Sequence, residues 1–289
     1  MILVTGATGA YGTSAIKHLL EKGVAPSNIA ALVRNPEKAS SLKDLGVELR
    51  MADYNDYDSL VAAFQGVDKL LFVSGSDIAT REAQHENIIK AAKAAHVGHI
   101  AYTSFIRKVA VADSAIGFLQ GTHEKTENWI KESGINYTIL QNALYMDMIP
   151  MFVGEGVAEI GAIVQPAEQG KSTSVLRDEL AEAAAEVLTS EGHENKTYPL
   201  SNVESLSYQD IAEELTAVLG KDIQYQSPSP EEFQSLLKGH GVPEEYINLF
   251  TAFSVAQAKG ELDLMDDTLE KLLGRKPATA KQFLTQAYS

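Results

Sequence analysis

No cysteine occurs among the 289 residues. That excludes disulfides, thiolate metal sites and cysteine nucleophiles, and it fits a reducing compartment. Basic residues are scarce: 24 Lys and Arg stand against 39 Asp and Glu, a formal net charge of −15. Such a field repels polyanions, so nucleic acid is not an expected partner. The densest basic stretch, Arg107-Lys108, is too short to form a local patch. Long apolar runs are missing as well, and nothing approaches the roughly 18 consecutive apolar residues of a membrane span. The apolar Ile2–Val4 runs at once into glycines with no basic segment before it, so no signal peptide is expected and the chain is read as cytoplasmic. The seven histidines show no metal-ligand spacing and no His-Glu-x-x-His occurs, so no metal is expected.

What is present is alternation. Short β-rich runs lie at Ile2–Thr5, Ile29–Val33, Val47–Met51, Lys69–Val73, His99–Thr103 and Tyr137–Leu140. Helical patterns separate them at Ala10–Lys22, Ser59–Phe64, Arg81–Ala95 and Thr122–Ser133. Most of the runs are too short and apolar to be half-exposed, which predicts strands covered on both faces. This rhythm predicts an α/β fold with a doubly wound parallel sheet and right-handed crossovers. Past residue 150 the pattern changes. Gly154, Gly156, Gly161 and Gly170 mark a looped region. Helices follow at Leu176–Thr189 and Ser207–Leu219, the second with Ser207 as N-cap and Gly220 as C-cap, and Ser227-Pro-Ser-Pro230 opens another. A short strand is expected at Thr197–Leu200. Residues 1–150 are therefore assigned to the sheet domain. Residues 151–289 are assigned to a smaller, mainly helical lobe whose segments can interleave with the first.

The strand Ile2–Thr5 leads into Gly6-Ala7-Thr8-Gly9-Ala10-Tyr11-Gly12 and then into a helix. Gly6 allows a tight turn, Gly9 leaves room for the backbone to approach a pyrophosphate, and Gly12 lets the helix pack closely on the strand. The free N–H groups of the helix N-terminus face the phosphate charge. A glycine triad between a first strand and a helix is the context that a Rossmann dinucleotide site requires. The whole turn, Gly6 to Gly12, is expected to hold the cofactor. In NAD-binding units an acid about 20 residues past the turn, near the end of the second strand, binds the ribose 2′-hydroxyl. Here that strand ends Leu32-Val33-Arg34, with no acid. An arginine holds a 2′-phosphate through a forked, charged hydrogen bond, whereas a carboxylate repels it. The expected cofactor is NADPH, with Lys38 one turn further on as a helper. The alternative is that Arg34 is an ordinary surface arginine. Asp53, just after the third strand, is read either as an acceptor for the adenine amino group or as a loop-capping acid.

The strings Val4-Thr-Gly-Ala-Thr-Gly9, Leu32-Val-Arg-Asn-Pro36, Ala52-Asp-Tyr54 and Ala101-Tyr-Thr-Ser104 together resemble the NmrA-like atypical short-chain dehydrogenases. Within that family, Gly134-Ile-Asn-Tyr-Thr-Ile-Leu140 and Asp267-Thr-Leu-Glu-Lys-Leu-Leu-Gly-Arg-Lys-Pro277 are similar to the branch of NADPH-dependent quinone oxidoreductases and triphenylmethane reductases. The resemblance covers nearly the whole chain. It implies a flavin-free, metal-free reductase that passes hydride directly from NADPH to a quinone or similar planar acceptor. It equally allows a non-catalytic NADP(H)-binding sensor, and a homodimer is compatible with either.

Typical short-chain dehydrogenases pair a Tyr with a Lys four residues on, which lowers the tyrosine pKa for proton exchange with an alcohol. No such pair occurs here: Tyr102 is followed at that spacing by Ile106, Tyr137 by Gln141 and Tyr145 by Ile149. Alcohol dehydrogenation and epimerisation by that route are disfavoured. Quinone reduction tolerates the loss, because the acceptor is already electrophilic and needs mainly proximity. The site wall is expected at the carboxyl edge of the sheet, after strands four to six. Ser74, Gly75, Ser76, Thr103 and Ser104 are placed against the cofactor, and Phe105 as flat cover for the acceptor. Asn142 is expected to bind the nicotinamide carboxamide or an acceptor oxygen, and Tyr145 to donate to a developing oxyanion. These two form the expected catalytic pair, with packing on the second lobe as the alternative for Tyr145. Relatives often carry Arg-Asn-Gly or Arg-Pro where this chain has Gln141 and Ala143, which leaves the acceptor open. His123, in His123-Glu-Lys-Thr126-Glu127, matches a family pattern and is a candidate for binding substrate or for packing its helix. Lys125 lies near it in uncertain register. His85 and His96 are expected to serve packing or surface roles.

Overall fold

In a computed structural model of the chain, residues 1–154 and 156–288 are described. Six strands come first: β1 (Ile2–Val4), β2 (Ile29–Val33), β3 (Glu48–Met51), β4 (Lys69–Phe72), β5 (His99–Phe105) and β6 (Asn136–Asn142). Short pieces follow at β7 (Leu144–Tyr145), β8 (Ala162–Val164), β9 (Lys171–Ser172) and β10 (Ser174–Val175), then β11 (Lys196–Leu200), β12 (Leu206–Ser207) and β13 (Gln224–Gln226). The described residues build one seven-stranded sheet in the order β11-β6-β5-β4-β1-β2-β3. Every neighbour in it is parallel. The order reverses between β1 and β4, so the loops after those two strands diverge and open a crevice at the carboxyl edge.

Apolar runs suit these strands because both faces are covered. Leu3 packs with Leu70, Ile100 and Ile139 on one face, while its neighbour Val4 packs with Leu71, Ala101 and Leu140 on the other. The pairing of Leu3 with Leu70 and Val4 with Leu71 keeps each set in line. Helices α1 (Ala10–Glu21), α2 (Ser40–Asp44), α3 (Tyr57–Ala63), α4 (Arg81–Ala94) and α5 (Gly117–Ser133) alternate with the strands. After β7 come α6 (Ile149–Val153) and α7 (Val157–Ile160), and α8 (Arg177–Thr189) precedes β11. The chain closes with α9 (Tyr208–Leu219), α10 (Pro230–Gly239), α11 (Glu244–Ala258), α12 (Thr268–Leu273) and α13 (Ala280–Tyr288). Small residues, among them Ala15, Ala181 and Ala184, line the buried side where α1 meets α8. The Tyr11 hydroxyl donates to the Leu180 carbonyl across that junction at 2.9 Å.

The change of pattern at residue 150 marks where the chain leaves the sheet, and part of the second half returns to it. β11 pairs with β6 from Thr138 opposite Lys196 to Asn142 opposite Leu200. Leu269 of α12 joins the same core as α1 and α8. Arg275, just past α12, clasps the buried Glu179 of α8 at 2.6 Å, and the Ala278 N–H donates to the same carboxylate at 3.0 Å. The remaining segments form the second lobe around Met146, Ile149, Ile163, Ile211, Leu215 and Leu284. Helix α9 is bounded as its sequence predicts, by a reciprocal Ser207–Asp210 capping box and by left-handed Gly220.

Candidate active site

Beyond β1 the backbone turns at Gly6, whose φ is +57°. Its N–H donates to Tyr54 Oη at 2.9 Å, and the Gly9 N–H donates to the Gly6 carbonyl at 2.9 Å. Gly12 is dictated by space: a Cβ there would stand 2.4 Å from the Gly6 carbonyl oxygen and 2.8 Å from Ala7 Cα. Thr13 Oγ1 braces the turn by donating to the Ala7 carbonyl at 2.8 Å. Ala7 and Tyr11 are buried beneath the turn, while Thr8, Gly9 and Ala10 are exposed on it. Helix α1 then starts with no side-chain cap and no acid in its first turn. Its first N–H groups lack intrahelical partners, and with the helix dipole they form a seat for a phosphate.

Arg34 is exposed at the end of β2, with Lys38 exposed one turn on. Burial raises the Tyr54 phenol above its ordinary pKa, and hydrogen bonds with Thr5 and Gly6 together with the charge of Arg34 oppose the rise. Tyr54 thus braces the glycine turn from the loop after β3, a role its sequence position did not reveal. Asp53 Oδ1 accepts from the Asn55 N–H at 2.8 Å and from Asn55 Nδ2 at 3.0 Å, so this oxygen serves the loop.

On the other side of the crevice, the Ser74 N–H donates to Thr103 Oγ1 at 2.8 Å and the Gly75 N–H donates to His85 Nε2 at 3.2 Å. Burial, with Arg81 beside it, lowers the His85 pKa to about 3, so the ring is neutral. Nε2 accepts from Gly75, so the proton sits on Nδ1 and faces Thr126 Oγ1 at 2.9 Å. The Thr126 hydroxyl in turn donates to the Thr122 carbonyl at 2.7 Å. His85 packs in the interior as expected, and it also buckles the Ser74–Ser76 loop onto α5. A Cβ at Gly75 would meet nothing closer than 3.7 Å, so packing within the chain does not require glycine there. Ser76 is exposed beyond the loop. Thr103 and Ser104 were expected together at the cofactor, but they point to opposite faces of β5. Thr103 holds Ser74, while buried Ser104 donates to Glu127 of α5.

Asn142, at the end of β6, is 2% exposed, and among the described residues neither its Nδ2 nor its Oδ1 has a hydrogen-bond partner. It stands beside the hydroxyls of Tyr11 and Tyr145. A buried amide left unpaired carries a desolvation penalty that a ligand with one donor and one acceptor relieves. A nicotinamide carboxamide has that pair of groups. With the bare helix start, the close-packed Gly12 and the exposed Arg34, the residues present fit NADPH.

Tyr145 is held on β7, which pairs Leu144 with Ser174 and Tyr145 with Val175 of β10. The Arg177 guanidinium lies 4.6 Å above its ring and pairs with Asp147 at 3.2 Å. Burial raises the Tyr145 pKa, so the phenol is a neutral donor. With Leu144, Phe152, Tyr208 and Phe253 it lines a cavity walled by β7 and the second lobe. Phe105 packs against the Ile116 and Leu262 cluster that Leu144 and Phe253 also touch. His123 is buried, with Nδ1 2.8 Å from Tyr102 Oη and its ring centroid 6.4 Å from that of Phe105, so it backs the wall from behind. Lys125 is exposed and paired with Glu82 at 2.8 Å, and His96 is an exposed turn residue. Arg81, which no sequence motif singled out, is 5% exposed and brings its Nη1 to 3.5 Å from His123 Nε2.

The sequence matches the NmrA-like family over residues 1–284. Quinone oxidoreductase 2 of Escherichia coli strain K12 is 38% identical over 100% of this chain and 99% of its own length. A crystal structure of NADPH-dependent quinone oxidoreductase from Escherichia coli complexed with NADPH has a TM-score of 0.94 at 38% identity, covering 100% of both chains. The triphenylmethane reductase of Citrobacter sp. complexed with NADP(H) has a TM-score of 0.91 at 46% identity, covering 99% of this chain and 100% of that one. Motifs, fold and full-length likeness agree: the chain belongs to the NmrA-like family.

Proposed function

We propose that this protein is an NADPH-dependent reductase that delivers hydride directly to a quinone or similar planar, electrophilic small molecule in the cytoplasm, where reduced dinucleotide is regenerated. The observation that carries this reading is the buried amide of Asn142, unpartnered among the described residues, at the carboxyl edge of the sheet, beside Tyr145 and the cavity that Tyr145 lines. The turn from Gly6 to Gly12 would seat the pyrophosphate, Arg34 the 2′-phosphate and Asn142 the carboxamide, with the Ser74–Gly75 backbone flanking the ribose. When bound, NADPH supplies the hydride. Phe105 gives the acceptor ring a flat apolar cover, and the second lobe excludes water from the cavity. The neutral Tyr145 phenol donates a hydrogen bond to an acceptor oxygen as charge develops on it. No Tyr/Lys pair is needed, because a quinone is reactive without one. The names of the full-length relatives and their NADPH complexes support the reading.

The test is steady-state turnover of NADPH and of NADH against a panel of quinones, with no added flavin and with chelator present. NADPH-selective quinone reduction is the expected result. Tight NADPH binding with no reduction of any acceptor would replace the enzyme by a dinucleotide sensor.

A further inference from the structure

Arg81 opens α4 behind the β4 loop, at the carboxyl edge of the sheet. The neighbouring arginines each have a carboxylate: Arg107 holds Glu127 at 2.7 Å and Arg177 holds Asp147 at 3.2 Å. Arg81 has none among the described residues. Asp77, on the preceding turn, directs its carboxylate to the Ala79 N–H and the Thr80 hydroxyl instead. Among the described residues Arg81 Nε has no partner, and Nη1 meets only the imidazole of His123, which burial keeps neutral. A cation 5% exposed and without a hydrogen-bonded carboxylate among the described residues, Asp77 acting on it only from a distance, is unfavourable in a protein interior. Its side-chain partner, His123, lies with its ring centroid 6.4 Å from that of Phe105, the residue placed above as cover for the acceptor, and the charge of Arg81 is felt at the hydroxyls of Tyr102 and Tyr145. The charge, which Asp77 offsets only from a distance, therefore stands behind the Phe105 wall on which the acceptor is placed.

We propose that Arg81 selects the class of acceptor: its guanidinium takes the oxyanion that forms as a quinone is reduced, and it disfavours acceptors that are themselves cations. The inference rests on the reductase reading above. In quinone reduction a hydride, one proton with two electrons, forms an O–H bond at one carbonyl oxygen as its C=O π bond breaks. The ring becomes aromatic and the electron pair arrives on the second oxygen as a phenolate. The dinucleotide is the species oxidised, and a proton from water completes the hydroquinone. A cationic triphenylmethane dye instead takes the hydride at its central carbon, forms a C–H bond and becomes neutral, so no anion appears. A fixed cation lowers the barrier only in the first case.

The experiment compares wild type, R81M and R81K with menadione and with crystal violet, alongside NADPH titration and thermal melts. R81M is expected to lower kcat/KM for menadione by about 10²-fold, chiefly through kcat, with NADPH affinity unchanged. Its kcat/KM for crystal violet should hold or rise. R81K keeps the charge but loses the fork, so it should recover part of the menadione rate; if R81M does not fold, R81K alone should show the same split at smaller size. Equal losses on both acceptors, an unchanged menadione rate, or a loss explained by weaker NADPH binding overturns the proposal. If the dye is not turned over, the menadione kcat against the NADPH affinity decides. A wild-type protein that binds NADPH and reduces neither acceptor overturns the reductase reading itself, and this inference with it.

Discussion

The Gly75 N–H points at His85 Nε2 from 3.2 Å, while His85 Nδ1 lies 2.9 Å from Thr126 Oγ1. Only the neutral ring with its proton on Nδ1 satisfies both. A second proton, on Nε2, would face the Gly75 N–H head-on, so the loop after β4 is held this way only while His85 is uncharged.

Acid should therefore loosen the fold. The unfolded chain protonates His85 near 6.5, and the folded chain resists until about 3, because of burial and the nearby Arg81. A depressed histidine pKa contributes stability that is complete above the unfolded value and is lost as pH falls through this window. The slope is on the order of 1.4 kcal/mol per pH unit, and His123, shifted the same way, adds to it. H85Q should flatten the slope and weaken NADPH binding. Urea unfolding between neutral and acid pH checks this; an unchanged slope in the variant rules out the assignment.

Asn142 makes an unusual prediction for a buried residue. N142A removes two unsatisfied polar atoms, so the melting temperature without ligand should hold or rise. The dissociation constant for NADPH should increase about tenfold, the equivalent of ~1.4 kcal/mol. Calorimetric titration beside a thermal melt separates the two effects. A large loss of stability with unaltered binding would mean that the amide serves the fold.

Arg34 should decide between the dinucleotides. R34A is expected to weaken NADPH by about 1–3 kcal/mol, the range for a charged hydrogen bond, and to leave NADH nearly untouched. Equal affinity of the wild-type protein for both cofactors would remove the 2′-phosphate from the argument.

Tyr145 and Phe105 should separate in kinetics. Y145F keeps the ring beneath Arg177 and loses only the donor, so kcat should fall by roughly 10-fold with KM little changed. F105A should raise the acceptor KM instead. Wild-type constants in both variants, for every acceptor tried, would place the acceptor elsewhere.

What could be read from the sequence was local. The turn from Gly6 to Gly12 and Arg34 at the end of β2 are set by residues adjacent in the chain, and the capped helix α9 likewise. Tyr54, His85 and Arg81 act across long separations: Tyr54 reaches Gly6 over 48 residues, and Arg81 reaches His123 over 42. No spacing rule reports such pairs. Ser104 parts from Thr103 for a different reason: adjacent strand residues face opposite ways, so its hydroxyl turns to Glu127 while that of Thr103 turns to Ser74. The strand near Thr197 was legible, but its neighbour in the sheet was not, because parallel pairing is set by the crossover that precedes it.

The return of α8, β11 and α12 to the sheet makes the two lobes topologically inseparable. No contiguous stretch of the chain is a complete dinucleotide domain. A chain cut after residue 150 would leave β6 as a bare edge and take from Tyr11 the Leu180 carbonyl that receives its hydroxyl proton. The second lobe accordingly cannot be exchanged between relatives as a single cassette. A graft would need separate junctions on either side of α8 and β11 and again before α12, and the clasp of Arg275 on Glu179 would have to be carried with it.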